Sequence, residues 1–256
     1  MDSTLALTTV TYNDRFTLPK VVTAFFNGTN VPAETKWYMV LQNCSDDFAN
    51  EIIELCKDKI TLVMIRFAKN IGLSKAMTYV IEQTKYFKYI LNIEDDWILL
   101  PCQRKDKDWL TTCVSFMEEQ KHTSTIFLRA YANDKEKKQY GWTRHIGYVN
   151  HCFPDNFNYC QKMKEANTTI EHKNNDFALI PKFLFTFNPC LVRNEDYHKC
   201  VYPLRQYSQD QKDPNHNGQW GYCEALAMEK TRHLYTYWFN EGIFGHHEDW
   251  FPEEIA

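Results

Sequence analysis

Four short apolar runs alternate with segments of helical spacing through the first hundred residues, and this alternation constrains the fold more tightly than any other property of the chain. Leu5 to Tyr12 (LALTTVTY) is β-prone, and Asn13-Asp14-Arg15 reads as a turn before a helix over Leu18 to Phe26 that begins near Pro19. Trp37 to Leu41 is a second buried strand, and Asn43 to Asp47 supply a loop and helix cap. Phe48, Ile52, Leu55 and Cys56 then recur at helical spacing through Lys57. Ile60 to Phe67 is a third strand, Asn70-Ile71-Gly72 a turn, and Leu73, Ala76, Met77, Val80 and Ile81 mark a third helix. The fourth strand, Tyr89 to Ile93, runs directly into Glu94-Asp95-Asp96-Trp97. Strands and helices in strict alternation predict right-handed crossovers, hence an α/β, Rossmann-like domain with a mostly parallel central sheet flanked by helices.

The second half is less regular. A helix is predicted over Trp109 to Gln120, strands at Thr125 to Tyr131 and Phe183 to Val192, a helix at Glu224 to Arg232 and a last strand at Leu234 to Phe239. Asp134 to Gln139 reads as a solvated charged loop, and Gly141 to Asn175 is polar and aromatic without a clear period. A length of 256 residues suits one large domain and is short for two.

The net charge of -4 excludes a general electrostatic attraction to nucleic acid or anionic lipid, so any phosphate site must be local. Nine cysteines without a CxxC pair argue against a zinc ribbon or a disulfide framework and for reduced, mostly buried thiols. N-x-S/T sequons occur at Asn27, Asn43 and Asn167, which is compatible with secretion. With neither a basic n-region nor a run of ~20 apolar residues, the chain is expected to be soluble, without a membrane span, and cytoplasmic.

Ligands of open parallel sheets gather at the carboxyl ends of the strands. Glu94, Asp95 and Asp96 fall at that edge, and alternation along an extended backbone predicts Glu94 and Asp96 on one side and Asp95 on the other. Adjacent acids repel unless they face solvent or a cation, and carboxylate oxygens suit Mg²⁺ or Mn²⁺, which take few protein ligands plus diphosphate oxygens. Taken alone, the triplet also fits an acidic surface turn.

Four segments give it a context: Thr9-Val10-Thr11-Tyr12-Asn13-Asp14-Arg15, Asn43-Cys44-Ser45-Asp46-Asp47, Asn70-Ile71-Gly72-Leu73-Ser74-Lys75-Ala76 and Glu94-Asp95-Asp96-Trp97. In this order and at these intervals they resemble glycosyltransferase family 2 and its relatives of the GT-A fold. The resemblance implies one GT-A domain over residues 1–256, with residues 1–100 the nucleotide-binding half and residues 101–256 the acceptor-binding half. It implies that Thr9 and Tyr12 flank the base, that Gln42 and Asn43 line the base and ribose site, and that Asn70 lies near the diphosphate. A glycan on Asn43 would then block the site, which favours the cytoplasmic reading. Lys75 either neutralises the diphosphate or is a solvated lysine. Glu94, Asp95 and Asp96 form the DxD-like motif on ribose and metal, with Asp96 on the metal. The family often has Asp where this chain has Gln42; Asp accepts from a uracil or guanine N–H, whereas Gln both accepts and donates.

Asn217 to Glu224 (NGQWGYCE) resembles the family's acceptor segment, where a Trp-Gly turn precedes an acid at a helix start. Glu224 is the implied general base, with a helix cap as its other reading and Asp249 as the reserve candidate. His246 or His247 would complete the metal shell. Phe187 to Arg193 resembles a central strand lining the donor or acceptor pocket, with Arg193 on a phosphate or in a surface ion pair. The implied activity is Mn²⁺- or Mg²⁺-dependent transfer, with inversion, from a nucleotide-diphosphate sugar (UDP-sugar favoured) to a glycan hydroxyl. A carbohydrate-binding module and a nucleotidyltransferase are the alternatives; the latter's Gly-rich, basic phosphate loop is missing.

Overall fold

The computed structural model describes residues 4–100, 106–130, 172–174, 177–180, 189–200, 235–239 and 242–247. Its first strands are β1 (Leu5–Tyr12), β2 (Lys36–Gln42), β3 (Thr61–Phe67) and β4 (Tyr89–Asn92), with helices α1 (Thr17–Gly28), α2 (Asp46–Cys56) and α3 (Leu73–Thr84) between them. All four strands are parallel, in the order β3-β2-β1-β4. The apolar residues of β2 and β4 are buried on both faces, as crossover helices require, whereas those of β3, at the edge of the sheet, are only partly covered. One face of β1 and β2 (Leu7, Trp37, Met39, Leu41) packs with Leu18, Val21 and Phe25 of α1 and with Phe48 and Ile52 of α2. On the other face Val40 meets Ala76 and Val80 of α3. The start of α2 is written locally: Ser45 accepts the Phe48 N–H at 3.1 Å, and Asp46 and Asp47 occupy the first turn.

Beyond β4 the sheet changes character. The remaining strands are β5 (Trp97–Leu99), β6 (Thr123–Phe127), β7 (His172–Asn174), β8 (Phe177–Ile180), β9 (Cys190–Arg193), β10 (Tyr235–Phe239) and β11 (Phe244–His246), with α4 (Trp109–Glu119) before β6 and α5 (Asn194–Cys200) after β9. The main sheet continues β4-β9-β6-β10-β8-β7. β9 is antiparallel to both β4 and β6, and β10 is parallel to β6 but antiparallel to β8. β5 and β11 form a separate antiparallel pair.

Several sequence expectations shift here. The strand expected at Thr125 to Tyr131 starts at Thr123 and ends at Phe127. Past that point the backbone turns to the segment before β11, where Ile243 donates to the Leu128 carbonyl and Ala130 to that of Phe244. The approach is so close that a Cβ on Gly242 (φ 88°) would lie 1.8 Å from the Arg129 oxygen, so only glycine fits. Helix α5 went unpredicted; its first residue, Asn194, is tied by its side-chain amide to the carbonyls of Thr84 (2.9 Å) and Phe87 (2.7 Å). The strands β7 and β8 also escaped the sequence pattern, which has no period there. The loop at 134–139 and the helix at 224–232 lie outside the described residues.

An aromatic chain joins the two parts. Phe25 of α1 meets Trp37 of β2 (5.1 Å) and Trp109 of α4 (6.4 Å), and Trp109 meets Phe244 of β11 (5.8 Å), all near edge-to-face. Among the described residues no helix is long and apolar enough to cross a membrane.

Candidate active site

A cleft of about 440 Å³ opens at the carboxyl ends of β1, β2 and β4. Parallel register brings it together, pairing Tyr12 with Gln42 and Thr8 with Asn92, so the residues following β1, β2 and β4 emerge along one edge. Thr9, Tyr12, Gln42, Asn70, Glu94, Asp95 and Asp96 all line it. Asn43 and Lys75, both exposed, are not among its lining residues.

The acid triplet departs from the expected alternation because the chain leaves the extended conformation after Asn92 and turns at Asp95 and Asp96. Both aspartates are thereby brought to Arg15. Asp95 is only 5% exposed; its Oδ2 accepts the Thr11 hydroxyl at 2.6 Å and its Oδ1 the Arg15 Nη1 at 3.0 Å. Burial pushes its carboxyl up to about 6, Arg15 opposes that shift, and the neighbouring Asp96 charge adds to it. Asp96 Oδ2 faces Arg15 Nη1 at 3.3 Å and His246 Nε2 at 3.4 Å. Burial acts upward on Asp96 too, but the His246 hydrogen bond and the Arg15 charge outweigh it and hold this carboxyl below its ordinary value. Two adjacent aspartates thus differ: one buried and reluctant to ionise, the other firmly anionic.

His246 reaches Asp96 through the small sheet, where its backbone pairs with Trp97 and its ring lies 5.4 Å from that indole. The backbone N–H of His247 donates to the Asp96 carbonyl at 2.8 Å, while its ring is buried edge-on against Phe16 at 5.5 Å. The two histidines expected as alternatives therefore differ in placement: His246 faces the carboxylate and His247 packs inward.

Gln42 is 2% exposed, and its Oε1 accepts the Ile71 N–H at 2.9 Å. That backbone donor fixes the orientation of the amide, so Gln42 has N–H groups rather than its oxygen to offer the cleft. The hydroxyl of Thr9 accepts the Trp37 indole N–H at 3.0 Å. Asn43 and Asn13 both occupy the left-handed region (φ 53° and 59°) and join through their side chains at 2.8 Å, locking the ends of β2 and β1 together. Asn70 accepts the Gly72 N–H at 2.8 Å, shaping the turn into α3. Tyr12, 44% exposed, leaves an aromatic surface at the rim.

Arg193 lies elsewhere. It is 8% exposed at the opposite end of the sheet, donating to the carbonyls of Thr123 (3.1 Å) and Met117 (2.7 Å), so it neither meets a phosphate in the cleft nor makes a surface ion pair. Glu224 and Asp249 fall outside the described residues. Thr11, Arg15 and Asn92 had no role assigned from sequence. Thr11 shares a strand face with Thr9, two residues away, which was the available signal; the reach of Arg15 to the far side of the cleft follows from the turn and is invisible in spacing.

No protein-family model matches the chain, and no curated protein does. Solved structures do match. Staphylococcus aureus TarS 1-349 in complex with UDP-GlcNAc is similar at 13% identity and TM-score 0.55, over 94% of this chain and 57% of that one. GalNAc-T7 with UDP, GalNAc and Mn²⁺ is similar at 9% identity and TM-score 0.58, over 95% of this chain and 43% of that one. The mannosyltransferase Ktr4p from S. cerevisiae in complex with GDP is similar at 10% identity and TM-score 0.51, over 95% of this chain and 71% of that one. The chain spans 62% of TarS 1-349 in that protein's ligand-free structure. At these identities the likeness establishes the fold, an α/β GT-A-like architecture.

Proposed function

We propose that the chain is a metal-dependent glycosyltransferase that moves a sugar from a nucleoside-diphosphate donor, UDP-sugar favoured, to a hydroxyl of a glycan acceptor with inversion at the sugar carbon. The observation that carries this reading is the meeting of Asp96 and His246 at the mouth of a strand-end cleft, contributed by segments distant in sequence. Among the described residues no group of three metal-ligating side chains occurs. A carboxylate and an imidazole are nonetheless a fitting donor pair for Mn²⁺ or Mg²⁺, ions that complete their shells with diphosphate oxygens and water. Bound there, such an ion would neutralise charge developing on the leaving diphosphate.

The protein's own groups then divide the work. Tyr12 offers a ring face to the base, Gln42 donates to it, and Thr9 and Asn43 shape the nucleoside end of the cleft. Glu94 holds the ribose, Asp95 ties Thr11 to Arg15 at the edge of the cleft, Asn70 and Lys75 stand on the diphosphate side, and His247 secures the backbone at Asp96. Glu224 removes the acceptor proton, with Asp249 as the reserve base; a positioned carboxylate contributes roughly 10²–10⁴-fold to such a step. Residues 1–100 bind the donor and residues 101–256 the acceptor, in one cytoplasmic domain. The complexes of the similar structures with UDP-GlcNAc, with UDP and Mn²⁺, and with GDP support a nucleotide donor.

Thermal unfolding with UDP, GDP, CDP and TDP, each with and without Mn²⁺, tests the reading. One diphosphate is expected to stabilise the protein only with metal, by about 2.7 kcal/mol at a hundred times its dissociation constant. Stabilisation by free sugars alone, indifferent to nucleotide and metal, would make the protein a carbohydrate-binding module. Release of pyrophosphate during turnover would make it a nucleotidyltransferase.

A further inference from the structure

Arg15 is the sole cation among the described residues lining the cleft. It sits in the turn between β1 and α1, its side chain 44% exposed, and one nitrogen, Nη1, faces Asp95 Oδ1 at 3.0 Å and Asp96 Oδ2 at 3.3 Å. The two carboxylates hold it unequally. Both oxygens of Asp95 are engaged inside the protein, one by Thr11 and one by Arg15. On Asp96 the same oxygen, Oδ2, faces both Arg15 and His246. A divalent ion that bridges His246 and the Asp96 oxygen nearest it therefore takes the oxygen that Arg15 faces. An ion–oxygen distance of about 2 Å would bring a double positive charge up against the guanidinium, and like charges so close repel strongly.

Resting on the transferase reading of this cleft, we propose that Arg15 is a positioning residue with two partners in turn: it competes with the divalent ion for Asp96, and on yielding that oxygen it serves the donor's diphosphate while still anchored on Asp95. The chemistry of the side chain allows both. A guanidinium carries five N–H donors in a planar fork, so one nitrogen can stay on Asp95 while others take a phosphate oxygen, an anion it binds well. Metal alone must displace an ion pair, whereas metal with diphosphate gives the displaced charge a new partner. Binding of the two is thereby coupled, and a lone divalent ion is disfavoured.

The test measures two constants on Arg15→Ala and the unsubstituted protein at pH 8: Mn²⁺ alone, by the electron paramagnetic resonance signal of the free ion, and UDP at saturating Mn²⁺, by calorimetry, with GDP in parallel. They are expected to move in opposite directions, Mn²⁺ alone binding about tenfold more tightly and the diphosphate about tenfold more weakly, within the usual range of coupling between sites. A purely structural role, scaffolding Asp95, would weaken both, and that outcome overturns the proposal; so does an unchanged Mn²⁺ constant. Arg15→Gln keeps an N–H donor toward Asp95 without the charge and is expected to shift both constants in the same opposite senses, so the question stays decidable if the alanine variant unfolds. Should the unsubstituted protein bind neither Mn²⁺ nor any diphosphate, the transferase reading falls with it. Normal binding there with no divergence in the variants removes the Arg15 proposal alone.

Discussion

The cleft and the strand pair beside it are built by different kinds of chain. The cleft is lined from β1, β2 and β4, parallel neighbours whose residues emerge in register at one edge. The strand pair, β5 and β11, lies outside that lining and joins Trp97 to His246 across most of the sequence. The first needs only secondary structure of the right period. The second exists only after long-range packing has brought the C-terminal segment home, with Trp109 and Phe244 in edge contact beneath it. Parts of one site can thus stand on very different folding foundations.

Removing the residue that lines the cleft and leads into the strand pair should have the largest effect. On the transferase reading, Asp96→Ala is expected to abolish Mn²⁺-dependent stabilisation by nucleotide and to lower transfer by about 10³-fold or more, on the scale of deleting a group aimed at developing charge. His246→Ala removes only the strand pair's contribution, and Mn²⁺ affinity should fall by about tenfold. Equal losses in the two variants, read by Mn²⁺ titration, would deny that the cleft and the strand pair contribute unequally.

The strand pair can be broken without touching His246 or Asp96. Gly242→Ala puts a methyl group into the Arg129 carbonyl at a backbone angle that side chains avoid, so β11 must shift. A cost of roughly 1–3 kcal/mol is expected from overpacking of this kind, together with a fall in Mn²⁺ affinity toward that of His246→Ala. If calorimetry gave an unchanged Mn²⁺ constant, His246 would not need the β5–β11 pairing to reach Asp96.

The same contrast explains what could be read in the sequence. The helices after β1, β2 and β3 and the strand ends follow from local periodicity; Thr9, Tyr12, Gln42 and Glu94 to Asp96 are implied as a group by the family resemblance, and the structure brings them to one cleft. The antiparallel insertion of β9 between β4 and β6 and the helix that follows it were not legible, because a strand of four residues bears no mark of its partner or direction. Nor was the turn at Asp95 and Asp96, which sends both aspartates to Arg15. The choice between His246 and His247 needed the end of β11, which falls between them: His246 is its last residue, paired with Trp97, and His247 lies past it.

A smaller effect probes the cleft wall. Gln42 has its oxygen on the Ile71 N–H, so on the transferase reading it would meet a base as a donor. A carboxylate there would have a second oxygen to accept an imide N–H. Gln42→Asp is therefore expected to raise affinity for UDP and GDP relative to CDP by about fivefold, the scale of one hydrogen bond. Calorimetry with the three diphosphates decides it, and an unaltered ranking would mean that position 42 does not meet the base edge.

The smallest effect concerns the loop beside that wall. Cys44 is half-buried between Asn13 and Arg66, and burial first, then the Asp14 carboxylate, push its thiol up to about 11 from an ordinary 9.0. Cys56, the buried last residue of α2, is pushed up to about 12 by burial, with Lys59 opposing. Because the thiolate is the reactive form, a rise of this size lowers it about a hundredfold at pH 8. Cys44 should thus alkylate with iodoacetamide about a hundred times more slowly than a thiol at the ordinary value, and the rate should climb with pH through 11. Asp14→Asn removes the second cause while leaving burial, and Asp14 also accepts the Ser45 N–H at 2.8 Å. Its alkylation should quicken only modestly if the loop holds its shape. Fast alkylation at pH 8 in the unsubstituted protein would show instead that the loop opens, and the cleft wall would then be less locally determined than its periodicity implies.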